Sequence, residues 1–199
     1  MKNCDFCSLS EKIILNEFEF FYLVADPYPL CDGHMMIVAK EHYGCLGEMP
    51  LNKIEQCREI LEFLKEQFPQ YLIFEHGRAG VCLKNAFGIS CDHMHVHFLP
   101  LTLDLHLTVS KEYSFETINQ LTELQNYFHA YGQYVFLQMK EQSYCYLVQG
   151  RAMPPHMMRT KIAALLKSES LSNWENYLGD SLFQSSLNFL DQNLLSRCL

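Results

Sequence analysis

Short apolar runs separated by turn residues dominate the first half of the chain. Residues 20–24 (FFYLV) and 35–38 (MMIV) are two such runs, and the stretch between them, ADPYPLCDGH, carries two prolines and a glycine. They read as neighbouring antiparallel strands. Over residues 51–68, Ile54, Cys57, Leu61, Leu64 and Phe68 recur at helical spacing with Glu and Lys on the opposite side, which predicts an amphipathic helix lying on a sheet. Residues 71–74 (YLIF) form a third strand, ended by EHG, and residues 78–88 form a loop that leads into the stretch SCDHMHVHFLP at 90–100.

In the second half, Ser114 is placed to cap a helix carrying Ile118, Leu121, Leu124, Phe128 and Tyr131, with Gly132 just past its end. Residues 134–139 and 144–148 are rich in aromatic and branched side chains and predict a hairpin around KEQS. After AMPP, Met158, Ile162, Leu165 and Leu166 predict another helix, and residues 181–195 a last one. No repeat or low-complexity linker interrupts the chain. The expectation is one α+β unit: an antiparallel sheet with covering helices and an elaborated C-terminal helix and hairpin extension.

Composition narrows the function classes. At 199 residues the chain is long enough to bury a sizeable core. No apolar run approaches the roughly 18–20 residues that cross a bilayer, and the first ten residues are polar, without the apolar centre of a secretory signal. Nine cysteines, an odd number and scattered, suit free thiols in a reducing cytosol better than a disulfide framework; Cys4 and Cys7 are the one close pair. The net charge of −8 counts against a broad electrostatic surface for nucleic acid, so a phosphate-bearing ligand must be a small one met by a local site.

Candidate chemistry centres on His93, His95 and His97. In a strand, alternate residues share a face, so the three imidazoles lie on one side and Met94, Val96 and Phe98 on the other. Imidazole ligates metals, attacks as a nucleophile and carries protons near neutral pH. One branch is a metal site built from strand histidines, to which Asp92, before rather than after them, is a partial match. The other is a nucleophilic imidazole with donors for a phosphoryl or acyl oxygen. Gly88, Ile89 and Ser90 supply a close backbone approach and a hydroxyl just before the strand, which favours phosphate chemistry.

These residues resemble the histidine triad superfamily, whose signature alternates three histidines with apolar residues and ends on two of them; here it is His93-Met94-His95-Val96-His97-Phe98-Leu99. Three further elements stand in the same order. Asp26 and GHMMIVAKEH resemble the family's earlier motif, with Ala39 in place of a proline; Gly88-Ile89-Ser90 matches its Gly-x-Ser; and CDFC at 4–7 matches a Cys-x-x-Cys found in many members. The resemblance covers residues 1–110 and implies a domain of that extent, with 111–199 packed on it as an extension.

By that resemblance the protein is a nucleotide hydrolase or transferase acting on a small nucleotide, either a dinucleoside polyphosphate or a nucleoside phosphoramidate. His95 attacks the α-phosphorus; His97 and Ser90 hydrogen bond the phosphate oxygens with Gly88 beside them, and His34 supports them. The carbonyl of His93 accepts the Nδ1 proton of His95. Asp26 holds the ribose hydroxyls, although as the residue before Pro27 it is equally suited to a turn. Cys4, Cys7, His42 and His93 form a closed structural zinc site. Alternatives within reach of the same residues are aprataxin-like removal of adenylate from nucleic-acid ends, which the acidic charge disfavours, and a nucleotide sensor without turnover. The loop RAGVCLKNAF departs from the family's short Gly-rich loop, and Arg78 and Lys84 within it suit either a polyphosphate or plain solvent. Compact members dimerise by joining sheets; the extension here serves that role within one chain, or a homodimer forms.

Overall fold

The structure is a computed structural model, and it describes residues 4–80, 92–149, 153–172 and 180–194. Eight strands form one sheet: β1 (Ile14–Glu17), β2 (Phe21–Ala25), β3 (Met35–Ala39), β4 (Leu72–Glu75), β5 (His95–Leu99), β6 (Ser114–Ile118), β7 (Val135–Met139) and β8 (Gln142–Leu147). Their spatial order is β1-β2-β3-β5-β4-β7-β8-β6, and every neighbouring pair is antiparallel. The helices are α1 (Leu51–Gln67), the single turn α2 (His106–Val109), α3 (Leu124–Tyr131), α4 (Met157–Leu165) and α5 (Asp180–Asn193). The α+β class and the early strands and helix follow the apolar pattern closely.

Two parts of the second half differ from the pattern. Residues 114–118 are not the start of a helix but strand β6, paired along β8 from Ser114↔Leu147 to Ile118↔Ser143. The helical segment begins later because Gln120, not Ser114, caps it in a capping box with Glu123, whose Oε1 accepts from the backbone N–H of Asn119 and Gln120, both at 2.8 Å. Ser114 and its neighbours then place their backbone groups in the ladder instead. The hairpin loop is also shorter than KEQS, since Met139 pairs with Gln142 and only Lys140 and Glu141 turn the chain, Lys140 with φ 53°. A two-residue hairpin turn requires such left-handed backbone.

Alternation along the strands gives the sheet two unlike faces. On one, Leu23, Ile37, Val96, Ile73 and Phe136 pack with Ile54, Cys57, Leu61 and Leu64 of α1 and Leu190 of α5 in a continuous apolar core. The other face is covered in two separate patches. The N-terminal segment, through Phe6, Leu9 and Ile13, covers Val24, Met36 and Val38. Leu105 and Val109 with Met157, Met158, Ile162 and Ala163 of α4 cover Leu72, Leu99, Val135, Leu137 and Tyr146. The row of histidines on β5 lies between these covers.

One carboxyl sits inside the apolar core. Glu75, 2% exposed, accepts from Leu46 N–H at 2.7 Å and from the Tyr134 hydroxyl at 2.6 Å, and that hydroxyl in turn accepts from Gly47 N–H at 2.8 Å. Burial pushes the Glu75 carboxyl up to about 7, against the opposing effect of its two donors. A raised folded value means that the folded chain keeps this proton where the unfolded chain, at 4.5, has released it. The stabilisation is therefore complete below that value and is lost as pH rises towards about 7. We expect Glu75→Gln, compared with wild type in urea melts at pH 5 and pH 8, to gain relative stability at the higher pH by on the order of 2–3 kcal/mol; parallel pH dependence in the two proteins contradicts this reading.

Candidate functional site

The register of the central strands decides what surrounds the histidines. His95 lies opposite Val38, and His97 lies between Met36 of β3 and Phe74 of β4. Two residues on from Phe74, just past the end of β4, His76 comes to the same face beside His95, and it lines the same cavity as His95 and His97. That cavity, about 340 Å³, is roofed by Phe6, Leu9 and Ile13 of the N-terminal segment and bounded by Asp26, Tyr28 and Arg159. Phe6 stacks on the His95 ring with centroids 4.6 Å apart, and Phe74 stacks on His97 at 4.4 Å.

Hydrogen bonds assign the proton positions. The Nδ1–H of His95 donates to the backbone carbonyl of His93 at 2.7 Å, which leaves its Nε2 with a lone pair. His34, completely buried, accepts the Leu30 N–H at Nδ1 (3.2 Å), so its Nε2 carries the proton and donates to His97 Nδ1 at 3.0 Å. His97 in turn must carry its own proton on Nε2. The result is an acceptor nitrogen on His95 beside a donor nitrogen on His97. Burial is the leading cause that lowers His34 and His76 to about 4 and His97 well below its ordinary value; it also lowers His95. All four are neutral imidazoles at neutral pH.

Asp26 closes this corner. Its Oδ1 accepts from Tyr28 N–H at 2.7 Å, and its Oδ2 lies 3.3 Å from His34 Nδ1 and 3.7 Å from His97 Nδ1. The Tyr28 bond makes Asp26 a turn-forming residue, and its place on the cavity wall leaves it facing a ligand as well. Asp26, His34 and His97 could be grouped around an ion, but both nitrogens of His34 are already engaged by Leu30 and His97.

A second cluster has the character of a metal centre. Cys4, Cys7, His42 and His93 each offer one ligand atom, all within 4.8 Å of one another. His93 Nδ1 lies 3.4 Å from Cys4 Sγ, 3.6 Å from Cys7 Sγ and 3.2 Å from His42 Nδ1, and Cys7 Sγ lies 3.3 Å from His42 Nδ1. A tetrahedral ion with ordinary metal–sulfur and metal–nitrogen lengths requires edges of about 3.3 Å between nitrogens and about 3.6 Å between nitrogen and sulfur. The opposite nitrogen of His93 donates to the carbonyl of Ala39 at 2.8 Å, which fixes the ring as second partners of metal ligands do.

Of the other residues singled out by the sequence, Gly88, Ser90 and Lys84 lie outside the described residues. Arg78, with φ 66°, pairs with Asp92 at 3.1 Å rather than reaching the main cavity. Three lining residues had no place in the sequence argument. His76 carried a usable signal, the alternation of Phe74 and His76 along β4. Phe6 was hidden within the Cys-x-x-Cys spacing. Arg159 gave none, because it reaches the cavity only through the packing of α4.

No protein-family model matches the sequence, and no curated protein matches it. Solved structures do resemble the fold. A histidine triad nucleotide-binding protein from Sulfolobus tokodaii is 21% identical over 49% of this chain and 68% of its own, with a TM-score of 0.39. A HIT family hydrolase from Clostridium thermocellum is 24% identical over 52% of this chain and 94% of its own, with a TM-score of 0.37. Two of the structural neighbours are histidine triad proteins. Yeast Ap4A phosphorylase, in its complex with Ap4A, is 13% identical over 85% of this chain and 77% of its own, at a TM-score of 0.49. What the site can do is read from this chain's own residues.

The four-residue cluster makes a direct prediction. Cobalt(II) added to metal-free protein should give the visible bands of a tetrahedral site with thiolate ligands, and Cys7→Ser should lower the thiolate charge-transfer intensity by about half or more. Stripping metal with a chelator should lower the melting temperature of wild type; a melt that does not respond contradicts a metal centre here.

Proposed function

We propose that this chain is a histidine triad enzyme that cleaves a small nucleotide at its α-phosphorus through a nucleotidyl-His95 intermediate. The observation that carries the reading is the bond from His95 Nδ1–H to the His93 carbonyl, which presents an unprotonated Nε2 on a residue that lines the main cavity. In the first step that nitrogen forms a bond to phosphorus while the bond to the leaving group breaks. The positive charge that develops on the imidazole is delocalised towards the Nδ1–H and its carbonyl acceptor. In the second step the oxygen of water, or of another hydroxyl acceptor, forms the new bond to phosphorus and gives up its proton to solvent, the phosphorus–nitrogen bond breaks with its electron pair returning to Nε2, and neutral His95 is restored. Dividing one displacement into two lowers each barrier.

The neighbours take supporting roles in this reading. His97 donates from Nε2 to a phosphate oxygen, held in that tautomer by His34. Ser90 and Gly88 are assigned to the same oxygens on the sequence resemblance alone. Asp26 accepts from ribose hydroxyls, and the apolar roof of Phe6, Leu9 and Ile13 faces the base. A volume near 340 Å³ is at the small end of ligand sites and suits a single nucleotide. The substrate class is a dinucleoside polyphosphate or a nucleoside phosphoramidate, which share the attacked phosphorus and differ in what leaves. The net charge of −8 favours such a ligand over nucleic-acid ends.

Zinc is the ion we assign to Cys4, Cys7, His42 and His93, because two thiolates and two imidazoles in tetrahedral spacing are its preferred set. With four protein ligands the ion is structural, and it ties the N-terminal segment to the entry of β5. Residues 1–110 are the proposed catalytic unit and 111–199 its extension, and the free thiols suit a reducing cytosol.

The test is release of AMP from diadenosine tetraphosphate and from adenosine phosphoramidate by wild type and by His95→Ala. Wild type should turn over at least one of them, and the variant should lose about three orders of magnitude or more in kcat. Rapid acid-free denaturation of wild type during turnover should also trap an adenylylated protein that the variant does not form. Turnover that survives in His95→Ala refutes the mechanism, and tight AMP binding without turnover on either substrate favours a sensor.

A further inference from the structure

The main cavity is poorly supplied with positive charge for a phosphate site. Its lining includes two carboxylates, Asp5 and Asp26, and among the described residues Arg159 is the only lysine or arginine on its wall. The imidazoles there contribute donors but no formal charge, since burial holds His34 and His76 to about 4 and His97 well below its usual value. In a chain of net charge −8, an anion entering this cavity meets one permanent cation among the described residues.

That cation is fixed in place. Arg159 stands on α4 and is 8% exposed. Its Nε donates to the carbonyl of Leu171 at 2.8 Å and its Nη2 to the carbonyl of Tyr28 at 2.5 Å. These bonds hold the guanidinium plane at the corner formed by Tyr28, Asp26 and His97, with little side-chain freedom left to lose on binding. Its charge reaches the histidines of that corner: after burial and the neighbouring imidazoles, Arg159 adds to the lowering of His97, and after burial and against Asp26 it adds to that of His34.

We infer that Arg159 is a further substrate-binding residue, whose guanidinium receives a phosphate oxygen at the His97 end of the cavity. The inference rests on the nucleotide reading above and extends it: the C-terminal segment completes the site with the one charge that the sheet does not provide. A guanidinium presents five donors in a fixed planar arrangement that suits an oxyanion, so the effect should scale with phosphate charge and be absent for an uncharged nucleoside.

The experiment compares Kd values of AMP, adenosine and inorganic pyrophosphate for wild type and Arg159→Met, which keeps the length and apolar stem. AMP and pyrophosphate should each weaken roughly 10- to 100-fold in the variant, with adenosine unchanged. Equal losses for AMP and adenosine, or no loss for any of them, overturn the assignment, because a residue that only pins α4 affects nucleoside and nucleotide alike. If Arg159→Met does not fold, phenylglyoxal modification of wild type, mapped by mass spectrometry, decides: protection of Arg159 by pyrophosphate and AMP but not by adenosine supports it, and absence of protection overturns it. Failure of the nucleotide reading leaves a different pattern. Wild type then binds pyrophosphate, with Arg159-dependent affinity, but shows no affinity for adenosine and no advantage for AMP over inorganic phosphate.

Discussion

The bond between the His95 ring and the His93 carbonyl fixes which nitrogen of His95 holds a proton, and much of the surrounding structure serves to keep that bond in place. His93 stands two residues before β5, so its backbone position depends on its neighbours: Met94 N–H donates to Tyr43 O at 2.6 Å and Met94 O accepts from Ala39 N–H at 3.2 Å. The same residue offers its ring to Cys4, Cys7 and His42 while bonding Ala39 O. A single residue thus links the thiol cluster to the orientation of the ring two positions on. Displacing it disturbs both centres together.

The two-faced sheet explains why the cavity lies where it does. One face is closed by α1, α3 and α5 over an unbroken apolar surface. The other is covered from opposite sides by segments far apart in sequence, the N-terminal residues and α4 with the turn at 106–109. His95 and His97 lie where the two covers meet: Phe6 of the N-terminal segment stacks on the face of His95, while the ring nitrogens face a cavity rather than apolar packing that would leave them without partners. The groove is the strip that hydrophobic packing leaves unfilled. Gly33, with φ 74°, belongs to the same arrangement: it lets α5 approach the turn before His34, where Ser186 Oγ accepts its N–H at 2.9 Å.

Legibility in the sequence followed the strength of local signals. Strand runs at 20–24, 35–38 and 71–74 and the helix at 51–67 were visible because their apolar period is unbroken over several residues. Residues 114–118 were misread because Ser114 is as good a cap as it is a strand residue, and the Glu123 bonds that decide the matter come nine positions later. The site shows the same divide. The triad, the Cys pair and Asp26 lie in contiguous motifs; strand alternation pointed to imidazole chemistry for the triad, and the family resemblance alone supplied roles for the Cys pair and Asp26. His76 required knowing that Phe74 pairs with His97. Arg159 required knowing where α4 packs, which is settled by the burial of Met157, Met158 and Ile162 against strands distant in the chain.

Strand β4 has β5 on one side and β7 on the other, so the sheet continues without interruption from the first half of the chain into the second. A sheet whose inner edge is already occupied by its own chain has no backbone donors left there to recruit another copy. Among the described residues, β1 and β6 end the ladder. Of these, β6 is short and presents Ser114, Glu116 and Thr117 outward with Phe115, the kind of charged, brief border that discourages edge-to-edge growth. The strands of the second half therefore fill an edge of β4 that the first half alone leaves open.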